Sequence, residues 1–143
     1  MKVVNVGIIG GGLMGKEVAG AFGRWFSIND YPVKVELKAV CDLDAKTLKW
    51  YEQIPSVELL TTNYKELLAS SKVDVVYVAL PHFLHEQYYI EVIEAGKDLL
   101  AEKPFGMDLN AAMKINEKIA NSKSFVRCCS EMPFFPGPQR VIS

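Results

Sequence analysis

Gly10, Gly12 and Gly15 form the pattern G-x-G-x-x-G, set between the apolar run Val3 to Ile9 and a stretch carrying Val18, Ala19 and Phe22 at helical spacing. In that setting each glycine has a separate task. The first permits a sharp turn out of a strand, the second lets a ligand come against bare backbone, and the third lets the following helix pack on the strand. The new helix then points its free N–H groups and the positive end of its dipole at the turn, which suits an anion. The pattern predicts a strand–turn–helix unit that takes a pyrophosphate, and with it a dinucleotide. Gly10, Gly15 and Lys16 also satisfy part of a nucleoside-triphosphate loop, G-x-x-x-x-G-K. Glu17 stands where that loop needs a Ser or Thr hydroxyl, so the dinucleotide reading is preferred.

The rest of the chain repeats the alternation of strand and helix. Val3 to Ile9, Val33 to Cys41, Val73 to Leu80, Lys97 to Ala101 and Ser124 to Cys129 read as strands, with Val57 to Thr61 a weaker sixth. Leu84, Tyr88, Val92 and Ala95 recur at helical period and Gly96 supplies a left-handed cap; Leu109, Met113, Asn116 and Ala120 do the same behind Asp108, a candidate N-cap. Tyr64, Leu67 and Leu68 suggest a shorter helix, and Trp25 to Pro32 a loop. The expected class is α/β, a doubly wound parallel sheet of order 3-2-1-4-5-6. Glu131 to Pro138 packs three prolines and a glycine, so a boundary is expected there: a dinucleotide-binding domain over 1–130 and a linker over 131–143.

Composition narrows the partners. The chain has 143 residues, 50% apolar and 23% charged, which is globular composition for one domain. Sixteen basic and seventeen acidic side chains leave a formal charge of −1, so no global positive field draws it to nucleic acid or an anionic membrane. No apolar stretch approaches the roughly 20 residues of a membrane-spanning helix, and Val3 to Ile9 lacks the cleavage site of a leader. A cytoplasmic location is expected. Cys41, Cys128 and Cys129 lack metal-ligand spacing, so reduced thiols and no metal site are expected.

Three further segments carry candidate site residues. Asp42, directly after the second strand, stands where such folds place the acid that binds the adenosine ribose hydroxyls. Its carboxylate would repel a 2′-phosphate, so NAD is favoured over NADP. Asp44 is its rival, and either acid is suited to cap a helix beginning near Ala45. The fourth and fifth strands end in Ala79-Leu80-Pro81-His82-Phe83-Leu84-His85 and Ala101-Glu102-Lys103-Pro104-Phe105-Gly106. Both loops leave the carboxyl ends of neighbouring strands, where open α/β sheets bind ligands and where a nicotinamide is expected.

Together, G-x-G-x-M-G with Leu13 and Met14 inside it, an Asp after strand two, P-H-x-x-H and E-K-P resemble the glucose-fructose oxidoreductase, inositol dehydrogenase and rhizopine-catabolism family over nearly the whole chain. Phe134-Phe135-Pro136 followed by Gln139 resembles the segment that opens the family's second domain, although Pro133 departs from its pattern. The resemblance implies an oxidoreductase acting on a secondary alcohol of a sugar or polyol, with a second, substrate-binding domain beyond Ser143 and a homo-oligomeric parent protein. It implies that Lys103 positions the substrate hydroxyl and assists its proton transfer, with His85 as a second candidate, and that Leu80, Pro81, His82 and His85 line the nicotinamide side. Glu102 either orients Lys103 or caps its strand. The alternative is a regulatory protein that senses the dinucleotide without catalysis.

Overall fold

The computed structural model describes residues 1–24, 32–130 and 132–142; most of the expected Trp25 to Pro32 loop therefore lies outside the described residues. β1 (Lys2–Ile9) turns into α1 (Leu13–Gly23), and β2 (Val33–Cys41) is followed by α2 (Ala45–Leu48) with a 3₁₀ turn over Lys49–Gln53. Next come β3 (Leu59–Thr61), α3 (Tyr64–Ala69) and β4 (Val75–Val78), then a 3₁₀ turn over His82–Leu84 and α4 (His85–Glu94). β5 (Asp98–Glu102), α5 (Leu109–Ala120) and β6 (Val126–Cys129) lead to a 3₁₀ turn over Met132–Phe134 and α6 (Pro136–Ile142).

The strands form one six-stranded sheet of order β3-β2-β1-β4-β5-β6, and every neighbouring pair is parallel. This is the doubly wound order expected from the sequence. Alternation along the central strands divides the core into two layers. Val76 and Val78 join Ile9, Leu67, Tyr89, Val92, Leu99 and Ile115 on one face, under α3, α4 and α5. Tyr77 and Ile8 join Val6, Ala19, Val40 and Tyr51 on the other, under α1 and the segment after β2. Because strands buried on both faces need apolar residues at nearly every position, they appear in the sequence as continuous runs.

The caps follow local chemistry. Asp108 accepts a hydrogen bond from Ala111 N at 2.8 Å, as its position before α5 implied, and Gly96 takes φ +71° after α4. Several strands are shorter than the apolar runs suggested: β4 spans Val75–Val78 within the expected Val73 to Leu80. Apolar loop residues at its ends, such as Val73 and Leu80, still pack into the core without ladder pairing.

The tail carries a short helix. Pro136 begins a helix, with Pro138 inside its first turn. Proline is tolerated there because the first backbone N–H groups of a helix have no intrahelical acceptor, and its fixed φ is already helical. Closely spaced prolines in this segment therefore mark a helix start.

Candidate functional site

The sheet order places the ends of β1 and β4 side by side, opening a cleft of about 350 Å³ between α1 and the loop after β4. Gly10, Gly12, Asp42, Leu80, Pro81 and Tyr88 are among its lining residues. Gly10 has φ +100°, and a Cβ there would lie 2.3 Å from the Ala79 carbonyl oxygen. A Cβ on Gly15 would lie 2.3 Å from the Gly10 carbonyl oxygen. A Cβ on Gly12 would meet nothing within 4 Å. Two glycines are thus required by the fold itself, whereas the exposed Gly12 faces open space on the ligand side.

Gly12 is the N-cap of α1, and no side chain caps that helix. Its first-turn N–H groups and dipole are directed at the open space above Gly12, the arrangement that holds a phosphate without a lysine. Leu13 and Met14 lie exposed in this turn. Lys16 lies over the Trp50 ring, with Nζ 5.6 Å from its centroid.

Asp42 is integral to the loop. Oδ2 accepts from Gly11 N at 2.8 Å and Oδ1 accepts from Asp44 N at 2.9 Å. Each carboxylate oxygen retains a second lone pair for a ribose hydroxyl. Asp44 instead caps α2, accepting from Lys46 N at 2.9 Å, which distinguishes the two acids. The Gly11 carbonyl accepts from the buried Tyr51 hydroxyl at 3.0 Å, so both peptides of Gly11 are held. Burial, with the Asp42 charge adding to it, pushes the Tyr51 phenol well above its ordinary range and keeps the donor protonated.

The other half of the site stands on β4 and β5, paired with Val78 opposite Ala101. Lys103 is exposed just beyond β5, and its peptide bond to Pro104 is cis. Glu102 accepts from the Tyr77 hydroxyl at Oε1 over 2.6 Å and from Lys103 N at Oε2 over 3.0 Å. The Glu102 carboxylate therefore fixes the lysine's own peptide. The Glu102 carbonyl accepts from the Tyr89 hydroxyl at 2.7 Å. Burial raises both phenols, Tyr77 and Tyr89, far above their usual range, so both remain donors.

His82 is exposed in the 3₁₀ turn. His85 is not. It is 1% exposed, with Nδ1 2.8 Å from the Pro104 carbonyl oxygen and Nε2 3.0 Å from the Leu80 carbonyl oxygen. The structure brings Gly10, Gly12, Asp42, Leu80 and Pro81 to one cleft, and Met14 and Glu102 to another groove with Cys129. His85 is buried behind these loops, between the Leu80 and Pro104 carbonyls. Gly11, Tyr51, Tyr77 and Tyr89 were not legible as site residues from motif spacing. Tyrosines inside apolar runs, as in Val75-Val76-Tyr77-Val78, were the available signal, because a buried phenol needs a partner for its hydroxyl.

An open βαβ crevice with an uncapped helix end, a glycine cradle and an acid after the second strand defines a dinucleotide-binding domain. Residues 4–128 match the family described as "Oxidoreductase family, NAD-binding Rossmann fold", and the chain belongs to it. D-xylose 1-dehydrogenase (NADP(+)) of Hypocrea jecorina is 39% identical over 74 residues, covering 52% of this chain and 19% of that protein. Inositol 2-dehydrogenase of Corynebacterium glutamicum (strain R) is 28% identical over 117 residues, covering 81% of this chain and 33% of that protein. An NAD binding oxidoreductase from Klebsiella pneumoniae of known structure superposes with a TM-score of 0.86 at 25% identity, covering 96% of this chain and 37% of that one. The chain thus spans a third or less of the length of these curated relatives. Among the described residues, no helix is long and apolar enough to cross a membrane and no group of three or more His, Cys, Asp or Glu is placed to hold a metal.

Proposed function

We propose that the chain is the cofactor half of an NAD(H)-dependent dehydrogenase acting on a secondary alcohol of a sugar or polyol. The observation that carries this reading is the position of Lys103. It projects from the carboxyl end of β5, beside the loop after β4, on the same sheet edge as the Gly12 cradle. A bound dinucleotide supplies the hydride acceptor or donor. The residues of this chain supply the rest. The α1 end and Gly12 hold the pyrophosphate, Asp42 takes the ribose hydroxyls, and Leu80 and Pro81 line the way to the nicotinamide side. Lys103 hydrogen-bonds the reacting hydroxyl and carries its proton toward solvent, while Glu102 fixes the lysine's backbone.

The preference for NAD over NADP rests on the Asp42 carboxylate, which a 2′-phosphate would approach unfavourably, and not on kinship, since one relative is named for NADP(+). Polyol or sugar as substrate class is supported by the names of the relatives. Association of the whole protein into homo-oligomers belongs to the same reading. The test is turnover by the full-length protein with NAD and a panel of inositols and aldoses, followed by NADH absorbance. Reduction of NAD by one class of polyol or sugar is the expected result. Tight NADH binding with no turnover on any member of the panel would favour a dinucleotide-sensing regulatory protein instead.

A further inference from the structure

We propose that His85 and Tyr89 are a positioning pair that holds the two nicotinamide-side loops in register, and that neither touches the ligand. This rests on the proposed dinucleotide site and assigns the origin of its shape at the nicotinamide end. His85 opens α4 and lies between the two loops, one ring nitrogen 3.0 Å from the Leu80 carbonyl after β4 and the other 2.8 Å from the Pro104 carbonyl after β5. A carbonyl oxygen only accepts, so the ring donates to one loop in each neutral tautomer and to both as the imidazolium. The ring fills the gap between the loops, and as the imidazolium it hydrogen-bonds both. One helical turn further on, Tyr89 stacks on His85, with centroids 4.8 Å apart and planes at 28°, and its hydroxyl donates to the Glu102 carbonyl at 2.7 Å. The two rings thus hold the carbonyl groups of Glu102 and Pro104, the residues on either side of Lys103. Both are buried, at 1% and 0% exposure, so their geometry is set by the core and not by solvent. Lys103 stands on a backbone fixed before any ligand arrives, which is how a site avoids ordering a loop at each binding event.

The pair acts on the nicotinamide end and not on the adenosine end, so the test compares two ligands on the 143-residue chain. NADH carries the nicotinamide; ADP-ribose lacks it. His85→Phe keeps a ring in the stack and removes both nitrogens, and Tyr89→Phe removes only the hydroxyl. The wild-type chain is expected to bind NADH more tightly than ADP-ribose. Losing a hydrogen bond that orders a loop is expected to weaken NADH by roughly 3- to 10-fold in each variant, with ADP-ribose affinity unchanged within about twofold and the emission of bound NADH reduced. Amide hydrogen exchange should rise over Lys103 to Gly106 and stay the same over Gly10 to Gly15. Equal losses for both ligands, or no loss for either, would overturn the positioning role while leaving the dinucleotide site intact. Failure of the wild-type chain to bind either ligand would overturn the site and the pair together. If His85→Phe does not fold, Tyr89→Phe decides, since it retains the ring and its packing.

Discussion

Gly11 donates its backbone N–H to the Asp42 carboxylate over 2.8 Å, so the glycine loop and the acid after β2 are one hydrogen-bonded unit. Asp42 therefore holds the loop, and in the proposed site it also takes the ribose hydroxyls. Asp42→Ala is expected to weaken NADH and NADPH together, because Gly11 N loses its acceptor, and to weaken NADH more, because a repulsion toward the 2′-phosphate disappears. Loss of a charged acceptor costs about 1.5–3 kcal/mol, which is roughly 10- to 150-fold for NADH. Calorimetric titration with both ligands checks it. An unchanged NADH to NADPH ratio would remove Asp42 from the ribose.

The three motif glycines are expected to separate into fold and ligand roles. Gly12→Ala is expected to fold, losing about 0.5–1 kcal/mol from a poorer N-cap, yet to lose dinucleotide binding, because the added methyl occupies the open space over the helix end. Gly10→Ala and Gly15→Ala are expected to unfold the chain or lower its melting temperature steeply, since each Cβ would meet a carbonyl oxygen at 2.3 Å. Thermal unfolding followed by circular dichroism, paired with NADH titration, distinguishes the two outcomes. Equal destabilisation by all three substitutions would contradict the assignment.

The parts of this architecture legible in the sequence are those set by local constraints. The glycine spacing, the apolar runs and the cap at Asp108 each depend on a few neighbouring residues, and the sheet order follows from the handedness of successive crossovers. Tyr51 could not be joined to Gly11 this way, since the two are 40 residues apart in sequence and meet only after β2 has paired with β1. The same holds for Tyr77 and Tyr89, whose hydroxyls find Glu102 on the next strand. The burial of His85 was not legible in its motif, because a helix's first residue points into the core or toward the cleft depending on how the helix docks on the sheet. The prolines after β6 carry two meanings, chain break and helix start, and the positions of Pro136 and Pro138 in the first turn select the second.

The cysteines are expected to be inert near neutral pH. Burial, reinforced by the nearby Asp42 and Glu66 charges, pushes the Cys41 thiol up to about 11; burial with the Glu102 charge does the same for Cys129. A raised thiol value means less thiolate, about one molecule in a thousand at roughly pH 8, and the thiolate is the form that reacts. Iodoacetamide should leave both residues unlabelled in the folded chain near pH 8, with labelling rising about tenfold per pH unit toward pH 10. Mass spectrometry of digested protein reads this directly, and rapid labelling of Cys41 near neutral pH would show that its surroundings are not closed.

Lys103 provides the sharpest division between binding and chemistry. Dinucleotide affinity should come chiefly from the α1 end, the glycine cradle and Asp42, which lie at β1 and β2, with a smaller share from the backbone of the loops after β4 and β5, whereas the Lys103 side chain stands beyond β5 and is exposed. Among the described residues its ammonium enters no ion pair, so Lys103→Ala removes no structural contact of that kind. In the full-length protein, Lys103→Ala is expected to leave NADH affinity nearly unchanged and to lower kcat by about 100- to 10,000-fold, the usual contribution of a positioned acid or base. Lys103→Arg should recover little, because guanidinium remains protonated and cannot take up a hydroxyl proton. The measurement is kcat at saturating NAD and alcohol, alongside NADH titration of each variant. Retained turnover in Lys103→Ala would return the lysine to a solvated surface role, and a loss confined to NADH affinity would move it to the cofactor side of the site. A drop in kcat alone would leave the proton with Lys103.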